Sequence, residues 1–130
     1  MEREELIAQA KDAMGRAYAP YSGFRVGAAL LCADGTVFTG CNIENASYGA
    51  TNCAERTAIF AAVASGHRAF KAIAICGGPE GKIEDYCMPC GICRQVLSEF
   101  CGPETQIHIA GPEDIQTYTL EQLLPGKFAL

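Results

Sequence analysis

Two short cysteine motifs constrain the fold of this chain more than any other feature. The first is Cys53-Ala-Glu55, and the second is Pro89-Cys90-Gly-Ile-Cys93. Each motif lies where a run with helical spacing of apolar residues begins, and proline is favoured at the first position of a helix. A fold that brings these two helix starts together therefore gathers three thiols and one carboxylic acid at one place.

These residue types predict a catalytic zinc site. Zinc favours thiolate ligands, and a catalytic site keeps three protein ligands and one open position. Cys90 and Cys93 are three residues apart and share one helix face, and the positive end of a helix stabilises thiolates. A Cys-x-Glu element followed by Pro-Cys-x-x-Cys is the signature of zinc deaminases. We therefore predict Cys53, Cys90 and Cys93 as metal ligands and Glu55 as the catalytic residue.

The expected chemistry is hydrolytic, because zinc lowers the pKa of bound water from about 15.7 towards 7. Zinc-bound hydroxide would attack carbon 4 of an aminopyrimidine, while Glu55 shuttles protons to ring nitrogen 3 and to the leaving amine. Three thiolates carry more charge than a His and two Cys, which weakens the metal as a Lewis acid. We expect Arg56 to hydrogen-bond a thiolate and withdraw charge; the alternative is an ordinary exposed arginine.

A zinc module without catalysis is the structural alternative, because Cys-x-x-Cys pairs are common in such modules. The single upstream cysteine and the nearby Glu55 favour catalysis. Cys87 as a fourth ligand would close the site, and it lies before Pro89, outside the helical register. His67, after a helix stop, is expected in solvent, and His108 is expected to pack in an apolar strand. The remaining cysteines are expected to be small buried apolar groups: Cys32, Cys41, Cys76 and Cys101.

Composition restricts the partners and the compartment. The 130 residues are long enough for one domain, 1–130, with a real core. A net charge of -5 with ten scattered Lys and Arg residues argues against a nucleic acid polymer. No apolar run approaches the roughly 20 residues of a membrane span. The charged N-terminus lacks the pattern of a secretory signal, so we expect a cytoplasmic protein whose eight cysteines are reduced.

Hydrophobic periodicity and turn signals predict the element order α-β-β-α-β-α-β-β-α. The predicted helices cover residues 3–17, 54–65, 89–100 and 120–124, and the predicted strands cover 25–32, 36–41, 71–76, 106–110 and 116–119. Asp34-Gly35 is a hairpin signal. A hairpin followed by β-α-β units indicates a mixed sheet with helices packed on it.

Four linked segments resemble the small homotetrameric cytidine deaminases, and the resemblance extends from Tyr18 to the C-terminus. The segments are Tyr21-Ser-Gly-Phe-Arg-Val-Gly-Ala-Ala29, Asn42-Ile-Glu-Asn-Ala-Ser47, Cys53-Ala-Glu-Arg56 and Pro89-Cys-Gly-Ile-Cys-Arg-Gln95. The resemblance implies a three-layer α/β/α fold with a mixed five-stranded sheet and one Zn2+ per subunit. It also implies deamination of cytidine and 2'-deoxycytidine to the uridine forms, in pyrimidine salvage, by a homotetramer.

The resemblance also assigns the nucleoside contacts. It implies that Asn42 and Glu44 hold the ribose hydroxyls, and two polar residues that are two apart on an extended segment do project to one side. It places Phe24 and Ala54 against the nucleoside, and it brings Tyr48 and Phe128 to the site of a neighbouring subunit. Another aminopyrimidine nucleoside, a nucleoside antibiotic or a free base such as cytosine stays open as the alternative substrate.

Overall fold

One mixed sheet of five strands runs through the molecule. The computed structural model describes all 130 residues. The strands are β1 (Phe24–Cys32), β2 (Val37–Cys41), β3 (Phe70–Pro79), β4 (Gln106–Ala110) and β5 (Ile115–Thr119). Their order across the sheet is β2-β1-β3-β4-β5. Only β3 and β4 pair in parallel, and a crossover helix connects them. All other neighbouring strands pair antiparallel.

Helices cover both faces of this sheet. They are α1 (Arg3–Met14), α2 (Ala54–Ala64), α3 (Gly91–Phe100) and α4 (Leu120–Leu123), and a 3₁₀ turn spans Tyr48–Ala50. The apolar residues of α1 pack on one face, and those of α2, α3 and α4 pack on the other. The mixed sheet that the element order predicted, and the α/β/α sandwich of five strands that the resemblance implied, are therefore confirmed.

The interior strand β1 explains why two separate cores form. Successive side chains of a strand point to opposite faces. Ala28 and Leu30 accordingly join the core beneath α2 and α3, whereas Ala29 and Leu31 join the core beneath α1. All four are buried. A nearly continuous apolar run is what a strand needs when both of its faces are covered by helices.

Two glycines let helices approach the sheet closely. A Cβ atom on Gly27 would lie 2.0 Å from the Ala10 carbonyl oxygen of α1. A Cβ atom on Gly40 would lie 2.5 Å from the Ala54 carbonyl oxygen of α2. Any larger residue would displace the helix. Gly40 therefore sets the position of the N-terminal turn of α2, where the first cysteine motif lies.

Several observed helix and strand boundaries differ from the predicted ones by a few residues. The third helix begins at Gly91 and not at Pro89, because Cys90 has an extended backbone (φ -68°, ψ 169°) and is the N-cap. The strand predicted over 71–76 extends to Pro79, because the start of β1 pairs with it, Phe24 opposite Pro79. The first helix ends at Met14, three residues early. These shifts arise from pairing and capping, which periodicity does not report.

Candidate active site

Two helix N-termini meet on one side of the sheet. Cys53 is the N-cap residue of α2, and Cys90 is the N-cap residue of α3. Neither side chain bonds the first N–H groups of its helix. Cys93 lies in the first turn of α3 and is buried. Both sets of free N–H groups and both positive helix ends therefore favour negative charge on these sulfurs.

The three sulfur atoms are spaced for a single metal ion. All three lie within 4.8 Å of one another, and the Sγ atoms of Cys53 and Cys90 are 3.9 Å apart. A tetrahedral zinc ion with Zn–S bonds of about 2.3 Å requires sulfurs about 3.8 Å apart. The set of donors also suits zinc, because thiolates are its preferred ligands. The residues thus fit the predicted metal, and they leave one position open.

The acidities of the thiols show why a cation belongs among them. The hydrogen bond with Cys93 and the contact with Arg56 together outweigh the opposing effect of burial and lower the pKa of Cys53 to about 5. The same hydrogen bond and burial raise the pKa of Cys93. The two changes are opposite because neighbouring sulfurs cannot both be thiolates unless a cation lies between them.

Arg56 lies where the sequence predicted a partner of the thiolates. Its Nη2 atom donates to the Sγ atom of Cys53 over 3.1 Å. Its Nε atom is buried and has no hydrogen-bond partner. The exposed helix arginine that we considered as the alternative is therefore excluded, since the guanidinium is directed inward at the sulfur cluster.

Glu55 is a buried carboxyl group next to the cluster of three thiols. Only 4% of the residue is exposed. Burial, which disfavours the charged form, and to a lesser extent the charge of Cys53 together raise the pKa of Glu55 to about 7. A carboxyl group with a pKa near the working pH both accepts and donates protons efficiently. A purely structural zinc site has no use for such a group.

The other cysteines stay outside the sulfur cluster. Cys87 is absent from the group of possible ligands, and burial raises the pKa of its thiol to about 12. Cys32, Cys76 and Cys101 are buried as expected, whereas Cys41 is only partly buried. No fourth cysteine closes the site.

The two histidines differ in whether their predicted surroundings are observed. His108 is buried in β4, and its Nδ1 atom lies 2.8 Å from the Thr117 hydroxyl, as expected of a packed histidine. The expectation that His67 lies in solvent is wrong. Its ring packs edge-on against Phe38 with centroids 5.0 Å apart, and its Nε2 atom is 3.2 Å from a carboxylate oxygen of Asp34. The hairpin turn, which is distant in sequence, covers this ring.

Asn42 lies directly after β2 with its side chain directed at β1. Its Oδ1 atom accepts from the Val26 N–H at 2.9 Å, and its Nδ2 atom donates to the Phe24 carbonyl at 2.8 Å. The residue is 9% exposed. The amide therefore extends the pairing of β1 and β2 at the edge of the site, and one Nδ2 hydrogen remains for a ligand.

Glu44 and Tyr48 share the wall of one cavity. The Glu44 carboxylate accepts from the N–H groups of Tyr21 and Ser22, at 2.9 and 3.1 Å, and from the Ser22 hydroxyl. The rings of Tyr21 and Tyr48 pack edge-on with centroids 6.2 Å apart. These residues and Thr51 line a cavity of about 370 Å³. The arrangement places a carboxylate at the base of an open, aromatic-walled pocket.

The remaining residues that the resemblance assigned have different surroundings. Ala54 is fully buried at the start of α2. Phe24 lines a second small cavity with Tyr86 and Cys87. Phe128 is 65% exposed, and its carbonyl oxygen accepts from the Gln95 side chain at 3.2 Å. The C-terminal segment thus lies along α3 with its aromatic ring directed outward.

Two supports of the metal ligands were missed by the sequence analysis. Arg94 donates from Nε to the Pro89 carbonyl and from Nη1 to the Leu123 carbonyl, both at 2.8 Å. Thr57 donates from its hydroxyl to the Cys53 carbonyl at 3.1 Å. Thr57 follows Cys53 by four residues and Arg94 follows Pro89 by five, so a search for polar residues about one helical turn after the start of each motif would have found them.

A larger cavity of about 530 Å³ lies beside the start of α1 and includes His108 and Thr117, but none of the three clustered cysteines.

The chain contains no helix that combines the length and the apolar character of a membrane span.

Comparison with known proteins adds sequence and structural relatives. Residues 1–109 match the family model described as the cytidine and deoxycytidylate deaminase zinc-binding region. The chain is 51% identical over 130 residues to the cytidine deaminase of Sporosarcina psychrophila. This alignment covers 99% of this chain and 93% of that protein. The chain is 50% identical over 129 residues to the cytidine deaminase of Halalkalibacterium halodurans, covering 98% and 95%. The crystal structure of cytidine deaminase from Burkholderia pseudomallei superposes with a TM-score of 0.91 at 47% identity, covering 98% of this chain and 100% of that one.

Proposed function

Because this chain belongs to the cytidine and deoxycytidylate deaminase family, we propose that it is a zinc-dependent hydrolase that deaminates cytidine and 2'-deoxycytidine. The products are uridine, or 2'-deoxyuridine, and ammonia. The observation that carries the proposal is the buried Glu55 carboxyl group beside a cluster of three thiols that is open at one position. A non-catalytic zinc module has no need of this acid, so this alternative is not favoured.

The metal ligands are Cys53, Cys90 and Cys93, each held at the start of a helix. Zinc, when bound there, lowers the pKa of a coordinated water molecule towards 7 and so makes a nucleophile available at neutral pH. Arg56 donates to the Cys53 sulfur and offsets the extra charge that a third thiolate brings.

Glu55 moves the protons of the reaction. It accepts a proton from the attacking water and transfers it to ring nitrogen 3, while the water oxygen bonds to carbon 4 of the pyrimidine. It then delivers the second proton of the water to the amino group, which leaves carbon 4 as ammonia. The raised pKa of Glu55 suits both directions of transfer, and such general acid and base catalysis contributes about 10²–10⁴-fold.

Asn42, Glu44, Phe24 and Ala54 bind the nucleoside in this proposal. The support is that Glu44 lies in an open cavity with a wall formed by Tyr48. The amide of Asn42 faces the neighbouring strand and retains one free hydrogen. A nucleoside presents sugar hydroxyls to these groups, whereas the free base cytosine has no sugar to present.

We further propose a cytoplasmic homotetramer of this single-domain chain, acting in pyrimidine salvage. Tyr48 is 77% exposed and Phe128 is 65% exposed, which leaves both rings free to reach a neighbouring subunit's site. All eight cysteines are free, as in a reducing compartment. Light scattering during gel filtration tests the assembly: the proposal requires four times the 13.8 kDa of one chain.

The decisive experiment follows cytidine loss by ultraviolet absorbance with Glu55→Gln. The variant should retain zinc, and turnover should fall by about 10²–10⁴-fold. Glu99→Gln is the matched control, because Glu99 is exposed on α3. Wild type should also lose activity with a zinc chelator and act poorly on cytosine. Undiminished turnover in the Glu55 variant, or activity that survives complete removal of zinc, would refute the proposal.

A further inference from the structure

A second cluster of metal-ligating side chains lies at the hairpin between β1 and β2. It consists of Cys32 at the end of β1, Asp34 in the turn and His67 just after α2. Their ligand atoms all lie within 4.8 Å of one another. Cys53 is at the opposite end of the 11-residue helix α2, which is about 16 Å long. The cluster is therefore separate from the catalytic ligands.

The hairpin holds Asp34 in a defined orientation. The turn is closed by the Cys32 N–H, which donates to the Thr36 carbonyl at 2.8 Å. One oxygen of Asp34, Oδ1, accepts from the Thr36 N–H at 3.0 Å. The other oxygen, Oδ2, is left facing the His67 ring, 3.2 Å from Nε2. The carboxylate is thus positioned before any ligand binds.

The end of α2 holds His67 in place from the other side. Gly66 has a φ of +97°, the left-handed conformation that ends helices. The His67 N–H then donates back to the Ala62 carbonyl at 3.0 Å. The ring packs edge-on against Phe38 with centroids 5.0 Å apart. Two separate chain reversals therefore bring this imidazole and the carboxylate together.

An ion pair between Asp34 and His67 does not account for the whole cluster. The Sγ atom of Cys32 lies in the same small space, although a sulfhydryl adds nothing to such a pair. The Nδ1 atom of His67 is buried and has no hydrogen-bond partner. Buried polar atoms are nearly always paired, so the contacts of Nδ1 are incomplete, while Nε2, 3.2 Å from Asp34, is the ring atom that faces the carboxylate.

We propose that Cys32, Asp34 and His67 bind a second divalent metal ion of borderline softness, such as zinc. A thiolate, an imidazole and a carboxylate form a set of three ligands that zinc accepts, and water completes the coordination. Because 4.8 Å is the upper limit of their separations, the donor atoms need to approach by no more than about 1.5 Å to reach the spacing of a tetrahedral site. The ion enters from the side of Asp34, whose side chain is 60% exposed, whereas Cys32 lies at the closed end.

Cobalt uptake by the zinc-loaded full chain tests the proposal. The protein is dialysed against Co²⁺ with a non-thiol reductant, and cobalt and zinc per chain are measured by plasma emission. Wild type should keep its zinc and gain about one cobalt ion per chain, with the near-ultraviolet thiolate-to-cobalt absorption of a sulfur ligand.

Three variants decide where the cobalt binds. His67→Gln and Cys32→Ala should each lose the additional cobalt and keep the zinc, and the retained zinc reports that the variant is folded. Cys76→Ala is the matched control, because Cys76 is another fully buried strand cysteine, in β3, and it should keep the cobalt. Cobalt taken up only in exchange for zinc, additional cobalt that persists in either ligand variant, or its loss in the control would overturn the proposal.

Discussion

Replacing Arg56 with alanine tests how the protein compensates for a site made of three thiolates. The guanidinium of Arg56 donates to the Cys53 sulfur over 3.1 Å. Alanine removes this hydrogen bond and a positive charge while leaving all three ligands in place. The expected result is weaker zinc retention, lower turnover, or both.

The geometry gives the size of the effect. A hydrogen bond to a charged group contributes about 1.5–3 kcal/mol. At about 1.4 kcal/mol for each factor of ten, its loss corresponds to about a 10- to 150-fold change. Loss of a residue that supports a metal ligand typically costs about 10- to 100-fold in metal affinity or activity, which agrees. The residue is half-buried and its Nε atom is buried and unpaired, so solvent replaces the lost contact only in part and the middle of this range is expected.

Two measurements on the same samples are needed. Competition with a chromogenic chelator gives the zinc affinity, and ultraviolet assays with saturating zinc give kcat/KM for cytidine. Arg16→Ala is the matched control, since it removes the same charge from an exposed pair with Asp12 on α1. Arg56→Lys should recover part of the effect, because lysine restores the charge without the planar fork. If zinc affinity and kcat/KM both stay at wild-type values in Arg56→Ala, the compensation argument is refuted.

Two further substitutions test the contacts that hold β1, β2 and α2 together around the site. Asn42→Ala leaves the Val26 N–H and the Phe24 carbonyl without their side-chain partner, so the free energy of unfolding should fall by about 1–3 kcal/mol; an unchanged urea midpoint would show that the amide does not tie the strands. Gly40→Ala places a Cβ atom 2.5 Å from backbone atoms of α2 and should cost about 1–3 kcal/mol or more. Gly49→Ala, with nothing within 4 Å, is its control and should change stability by less than about 0.5 kcal/mol; equal melting temperatures for the two variants would contradict the close approach of helix and sheet.

Much of the architecture was predictable because its signals are local. The apolar run of β1, the Asp34-Gly35 turn and the helical spacing of α2 each depend on neighbouring residues, and their element types were predicted correctly. Boundaries were predicted less well. The end of β3 is set by pairing with the start of β1, and the start of α3 is set by the extended backbone of Cys90.

The histidines show where local reasoning stops. His67 follows a helix stop, and nothing near it in sequence indicates a partner. The partner is Asp34, which the hairpin between β1 and β2 brings next to His67 at the end of α2. Contacts between residues far apart in sequence depend on how helices cross the sheet, which no local pattern contains.

The amino-acid sequence by itself determined the types of the proposed metal ligands, their positions at helix starts and the presence of Glu55 two residues after Cys53, because spacing along one helix follows from backbone geometry. Only the tertiary structure decided that the Sγ atoms of Cys53 and Cys90 lie 3.9 Å apart and that the Glu55 side chain is buried away from solvent. It also decided that the Asn42 amide is directed at β1. These outcomes require β2, β1 and β3 to pair in register and α2 to approach Gly40 closely. Solvation and long-range distance are properties of the packed molecule, and it is packing that converts three thiols and an acid into one site.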